Sequence, residues 1–204
     1  MEAITRLLSR SAPNLPGNNP GSIYLHLVEI MDAVLASHRL KTAGRGPLIA
    51  QVLGRFLNPL FAPLNTNKGW GLKAAPWLRN PEHPLTAEHG EAFARLLTTL
   101  ADPSASAVSR GSKNPLVSAT AKAKREAGPF LAKVMMCFVR LTLDMGVTMH
   151  TAVREKVKQG WWACFDAMGT EGRKVMGEGM DRAGRDVLRG LVEEWVKFGK
   201  WKGN

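Results

Sequence analysis

The sequence predicts an all-α fold, a helical-repeat stack of HEAT or armadillo type with about six to eight helices. Three observations carry this expectation. Apolar residues recur at intervals of three and four along stretches of roughly 15 to 20 residues. Sustained period-two alternation is missing, as are Asn-Gly and Asp-Gly hairpin pairs. Gly- and Pro-marked joints separate neighbouring stretches, as in antiparallel helix pairs, although no clean internal repeat is visible.

The first stripe is Ile23, Leu27, Ile30, Met31, Val34 and Leu35, which predicts a helix capped by Ser22 and running to about Arg39. Gly44-Arg45-Gly46 joins it to a second helix, with Pro47 in the first turn and Leu48, Ile49, Val52, Leu53, Phe56, Leu57 and Leu60 on one face. Residues 62–85 hold Pro63, Pro76, Pro81 and Pro84 with Trp70 and Trp77, and read as an irregular loop that packs its indoles. Thr86 is placed to cap a third helix, with Phe93, Leu96, Leu97 and Leu100 facing inward until Asp102-Pro103 ends it.

Residues 104–129 are rich in Ser, Ala and Lys and offer little to bury, so they read as a flexible basic linker. Phe130 to Asp144 is apolar on most sides and is expected at the centre of the fold, with Gly146 closing it. A fifth long helix is predicted from near Thr148, with Val153, Val157, Trp161, Cys164, Phe165 and Met168 on one face. Gly160 interrupts that face at a cost of about 1 kcal/mol relative to alanine, which implies that a neighbouring helix comes close to its backbone. A short helix around Gly172 to Gly177 leads to Asp181, the expected cap of the last helix. The domain organisation is therefore 1–103, a linker at 104–129, and 130–204 completing the same domain.

A chain of 204 residues can bury roughly 70 % of its unfolded surface, enough for a core without staples. Its longest apolar stretch, Phe130 to Met145, is broken by Lys133, Arg140 and Asp144 and is too charged to span a bilayer. The first residues lack the apolar core and cleavage site of a secretory signal, which predicts an intracellular protein. Cys137 and Cys164 lie in helical apolar patterns and read as reduced core residues. The net charge is +11, and it is densest in the short middle stretch, where five basic residues face one acidic residue. A chain this basic suits a setting rich in nucleic acid without identifying a site.

No catalytic motif stands out, and an enzyme, a cofactor and a metal are not expected. The glycine-dense run from Gly169 lacks the G-x-x-x-x-G-K-[ST] spacing of a phosphate loop, and no strand precedes it. His83, His89, Glu88 and Glu91 are close in sequence but do not form H-E-x-x-H, and they read as an acid-bearing helix N-terminus. His26, His38 and His150 fall on separate helices.

The last helix carries the functional reading. Val187, Leu188, Leu191, Trp195 and Phe198 form one continuous stripe, expected to be buried, with Phe198 and Trp201 also candidate anchors for a protein partner where the tail is exposed. Arg182, Arg185, Arg189 and Lys200 gather on the opposite arc with Asp186, Glu193 and Glu194 among them, and Trp201 and Lys202 extend the tail. This face is either a solvated surface laced with pairs such as Glu193 to Lys197 or a strip that meets phosphates or a partner. Lys122, Lys124 and Arg125 add a second basic cluster in the linker.

Phe165-Asp166, then Met180-Asp181-Arg182-Ala183-Gly184-Arg185, then Gly199-Lys200-Trp201-Lys202 resemble the C-terminal domain of the unhealthy ribosome biogenesis protein 2 family, the nucleolar preribosomal-associated proteins. The family pattern is F-D, L-D-x-x-G-R and a Lys-aromatic-Lys tail, and Met180 stands where leucine is commoner, a volume-conserving exchange. A weaker likeness covers His38-Arg39 and Gly44-Arg45. The resemblance implies a C-terminal fragment of a larger, non-catalytic scaffold in early assembly of the large (60S) ribosomal subunit, located in the nucleolus. Implied partners are other pre-60S assembly factors, namely a large helical-repeat protein and a DEAD-box helicase module, with no membrane. Pre-rRNA is the alternative partner, contacted through Arg182, Arg185, Arg189, Lys200, Lys202 and the Lys122-Lys124-Arg125 cluster.

Overall fold

A computed structural model describes residues 1–9, 11–13, 19–37, 44–63, 75–78, 84–102 and 116–199, and within 116–124 it describes the backbone alone. The described chain is mostly helical: α1 (Glu2–Leu7), α2 (Pro20–Ser37), α3 (Gly46–Leu57), α4 (Ala87–Ala101), α5 (Leu116–Leu143), α6 (Thr151–Glu178) and α7 (Arg182–Glu194). The all-α class is thus as expected. Trp70, His38, Arg39 and His83, which figure in the sequence reading, lie outside the described residues.

Four starts and stops differ from the sequence reading for identifiable reasons. The short helix α1, for which no stripe was evident, is held because Trp77 donates its Nε1–H to the Leu7 carbonyl at 2.7 Å. Helix α2 begins at Pro20, and the Gly21 N–H donates to Asn19 Oδ1 at 2.9 Å, so Asn19 caps it and Ser22 lies within the first turn. Helix α5 begins at Leu116 rather than Phe130 and takes in the latter half of the stretch read as linker. Ala127 is buried there, and a Cβ on Gly128 would lie 3.4 Å from the Ala167 carbonyl oxygen, so contact with α6 supplies what this segment's composition does not. The other difference is a two-stranded antiparallel ribbon, β1 (Phe61–Pro63) with β2 (Val147–Met149), in which Phe61 pairs with Met149. Three residues per strand are too few for alternation to show, and partners so far apart in sequence leave no hairpin turn to read.

The core is built on α4, α5 and α6. Phe93, Leu96 and Leu97 of α4 and Val157, Trp161, Cys164 and Phe165 of α6 are all within 1 % of complete burial. Helices α4 and α6 meet at backbone distance because each offers a glycine to the other: a Cβ on Gly90 would lie 2.8 Å from the Val153 carbonyl oxygen, and one on Gly160 would lie 2.8 Å from Ala94 Cα. Gly160 therefore has the role its interruption of the stripe suggested. By contrast, a Cβ on Gly54 of α3 would meet nothing within 4 Å. Gly54→Ala is expected to raise stability by about 0.5–1 kcal/mol through helix propensity and loss of unfolded-state entropy, measurable as a rise in the urea midpoint.

Polar side chains inside this core are few, and Asp32 Oδ1, His89 Nε2, Trp161 Nε1 and Trp195 Nε1 are buried without a hydrogen-bond partner among the described residues. Tyr24 is fully buried, donates its hydroxyl to the Phe56 carbonyl at 3.0 Å, and burial pushes its phenol well above the ordinary range. At the start of α4 the Thr86 N–H donates to His89 Nδ1 at 3.0 Å, which puts the ring proton on Nε2, against Gly21. Burial of that ring lowers its pKa, outweighing Glu88 and the backbone contacts. Glu91 pairs with Lys156 at 2.9 Å. Thus two of the four residues His83, Glu88, His89 and Glu91 have structural tasks, capping α4 and clamping it to α6. Neither cysteine is in a disulfide: Cys164 is a buried thiol whose pKa burial raises strongly, and Cys137 is half-buried.

Candidate interaction surface

Helix α7 is positioned by its two ends. At the first, Asp181 Oδ1 accepts the Gly184 N–H at 2.8 Å, as the sequence predicted, a cap of about 1 kcal/mol. At the second, Trp195 packs on Phe165 with ring centroids 5.8 Å apart, and the Arg173 guanidinium lies 4.8 Å over its ring. Arg173 can do this because α6 breaks at Gly169, where φ is +62°, and Arg173 Nη1 donates back across the break to the Phe165 carbonyl at 2.7 Å. Lys158 adds a clamp, reaching Glu194 at 3.2 Å and Glu155 at 2.9 Å. Burial works against its ammonium, but the two carboxylates outweigh that, and its pKa is raised.

Leu188, Leu191 and Trp195 are buried and Val187 packs against them, as the stripe predicted. Phe198 is the correction: it is 51 % exposed, beside Val196 at 47 %. From Trp195 to Gly199 the helix widens to a π turn, so a residue three positions after Trp195 swings off the stripe. Lys197 lies 5.0 Å over the Phe198 ring rather than pairing with Glu193.

Of the basic residues singled out from sequence, Arg182, Arg185 and Arg189 are exposed on α7, and Arg125 is exposed on α5. Lys200, Trp201 and Lys202, and the side chains of Lys122 and Lys124, lie outside the described residues. The three arginines differ in freedom. Arg185 donates through Nη1 to the Met180 carbonyl at 2.7 Å, Arg189 sits 3.4 Å from Asp186, and Arg182 has neither an ion pair nor a hydrogen bond among the described residues.

Sequence reasoning passed over the neighbour of this face. The C-terminal end of α5 and the joint between α6 and α7 enclose a groove of about 390 Å³, lined by Met136, Val139, Arg140 and Leu143 on one side and Met180 and Asp181 on the other. Arg140 was visible only as a charge interrupting an apolar stretch, and Leu143 as one more core candidate; neither carried a signal that α5 ends beside α7. Along α5, Arg125 stands about 22 Å from Arg140, fifteen residues at 1.5 Å each, so it is no part of this groove. Among the described residues no three His, Cys, Asp or Glu side chains converge as a metal site would require. No described helix is long and apolar enough to cross a membrane.

The model of the Urb2/Npa2 family matches residues 1–204, the full length of the chain. The chain belongs to the Urb2/Npa2 family. Membership gives it a role in ribosome biogenesis, in a family not known for catalysis, and makes pre-ribosomal partners its setting. No curated protein and no solved structure matches the chain. The Met180–Arg185 run at the joint, which carried the resemblance, has a physical account here. Asp181 caps α7; a Cβ on Gly184 would lie 2.9 Å from Asp181 Oδ1 and 3.2 Å from Met180 Cβ; Arg185 latches the Met180 carbonyl. The motif is a folded unit that fixes where α7 leaves α6, and its basic side chains point outward from it.

Proposed function

We propose that this chain is a non-catalytic scaffold in early nucleolar assembly of the large ribosomal subunit, acting mainly through protein–protein contacts. The single observation that carries this reading is the surface at the α6–α7 joint, where a groove lined by both apolar and charged side chains opens beside exposed arginines. The charge on α7 is mixed rather than uniformly basic: Arg189 is shared with Asp186, and Glu193 is exposed among the cations. Such a strip suits a protein rim better than a phosphate track, which gains affinity by releasing counterions from each neutralised phosphate. The paired helices fit the end of a helical-repeat stack, with its extended surfaces for partners such as a large helical-repeat protein and a DEAD-box helicase module. Phe198, beside Val196 at the C-terminal end, is the aromatic anchor this reading places at an interface. The alternative is direct contact with pre-rRNA through Arg182, Arg185 and Arg189.

Reversing all three to glutamate in the full-length protein separates the readings. Co-purification of pre-60S assembly proteins is expected to fall severalfold, while affinity of the purified chain for a structured RNA, measured by anisotropy from about 50 to 200 mM salt, is expected to be weak before and after reversal. Retained protein partners together with a large loss of RNA affinity would establish the RNA reading instead.

A further inference from the structure

We infer that His89 is a proton-sensitive lock between α2 and α4: neutral, it caps α4 and fills the contact with α2, and a second ring proton removes the cap and sets a charge against α2. The ring is 6 % exposed. Its Nδ1 accepts the Thr86 N–H at 3.0 Å and lies 3.0 Å from Thr86 Oγ1, the reach-back half of a capping box with histidine where glutamate or glutamine is usual. A neutral imidazole accepts at Nδ1 only with its proton on Nε2, and Nε2 has no hydrogen-bond partner among the described residues. That atom is wedged against α2, where a Cβ on Gly21 would lie 2.5 Å away. The ring thus fills the space that a side chain at residue 21 would need.

A charge on this ring would meet two helix N-termini. Helix α4 starts at Ala87, so His89 stands in its first turn, and α2 starts at Pro20, one residue before the glycine that Nε2 abuts. Both ends carry the partial positive charge of their unpaired N–H groups and disfavour a cation. Nothing in the first turn of α2 offsets this: it holds no acid, and Asn19 Oδ1 is taken by the Gly21 N–H at 2.9 Å. Tyr24, whose ring centroid is 5.7 Å from that of His89, donates its hydroxyl to the Phe56 carbonyl, and burial keeps its phenol neutral. On the side of α6, Glu91 and Lys156 pair with each other at 2.9 Å. Glu88, exposed in the first turn of α4, favours protonation, and burial of the ring outweighs it. A protonated Nδ1 can still donate to the Thr86 hydroxyl, but the Thr86 N–H then loses its acceptor.

Because the folded ring is harder to protonate than the unfolded one, the lock is fully closed above the ordinary histidine value of about 6.5. It weakens as the pH falls through that value toward the lowered folded one. The test compares the chain with His89→Gln, whose side chain can accept the Thr86 N–H as in an ordinary capping box but cannot titrate. In urea unfolding, the folding equilibrium constant of the parent is expected to fall about threefold or more, relative to the variant, between about pH 7.5 and pH 5. The carboxylates and the other histidines are common to both chains and cancel in that ratio. Amide exchange at the start of α4 should quicken over the same range in the parent alone. Ring-nitrogen NMR shifts of the parent give a reading that needs no variant: an Nε2–H tautomer at neutral pH and a titration midpoint below that of a histidine in an unstructured peptide. Parallel pH profiles for parent and variant, an Nδ1–H tautomer, or a ring midpoint at or above that of the peptide would each overturn the lock.

Discussion

Gly160→Val should cost about 3 kcal/mol or more of folding stability, because the new side chain has no space to enter. A Cβ at this position would lie 2.8 Å from Ala94 Cα, 3.0 Å from the Ala94 carbonyl oxygen and 3.0 Å from Leu97 Cδ1. Two of those three atoms are backbone, so relief requires α4 and α6 to separate rather than a rotamer to turn. Separation would open the contact between Phe93 and Trp161, whose rings stack edge-on at 6.1 Å, and would loosen the matching approach of Gly90 to Val153. Valine also adds a branched β-carbon to a helix, where χ1 is restricted. For a domain of ordinary stability this is a large share of the total. Urea denaturation followed by circular dichroism checks it, and Gly160→Ala supplies the decisive comparison. Alanine gains about 1 kcal/mol of helix propensity yet is expected to destabilise, the reverse of Gly54→Ala, because the clash begins at Cβ. An alanine variant as stable as the parent would show that the two helices can move apart freely.

The contrast between these two glycines shows what was legible in the sequence. Gly160 interrupts an apolar stripe, and interruption is the mark a close helix contact leaves in sequence; Gly54 lies off the stripe of its helix, and a Cβ there meets open space. Buried faces read well because a helical period needs no knowledge of the partner: Phe93, Leu96, Leu97, Trp161, Phe165, Leu191 and Trp195 all lie inside. Caps read well when the capping residue stands directly before a stripe, as Asp181 does, and poorly when two polar residues compete, as Asn19 and Ser22 do. Phe198 misled because spacing by three assumes 3.6 residues per turn, and the chain widens to a π turn at that point. The start of α5 misled because composition undervalues a segment ordered by another helix. The groove was not legible at all. Its lining residues belong to α5 and to the α6–α7 joint, each of which reads separately as core or turn, and nothing local announces that the two ends meet. The run from Met180 to Arg185, in contrast, carried a resemblance before its mechanics could be read, because order of residues survives without geometry.

Trp195→Ala is expected to remove about 3 kcal/mol, with the loss concentrated at the C-terminal end. The indole is 6 % exposed and ties the end of α7 to both halves of α6: its ring packs on Phe165 before the Gly169 break, and Arg173, beyond the break, lies over its face. Truncation leaves Phe165 facing a void and leaves the Arg173 guanidinium with only its bonds to the Phe165 carbonyl and to Thr170 Oγ1. One term acts the other way. The indole Nε1–H is buried without an acceptor, so its removal also relieves an unpaired donor, which sets the loss at the lower end for a buried tryptophan. The remaining hold on α7 is Leu188, Leu191 and the Glu194–Lys158 pair, a 3.2 Å ion pair of modest worth because Glu194 is partly exposed. Amide exchange should therefore quicken first in α7 while α4 and the first part of α6 keep their protection, the pattern of a local opening that precedes global unfolding. If protection instead falls equally in α4 and α7, the C-terminal helix is part of the same cooperative unit as the core. The groove would then be set by the whole domain rather than by the joint.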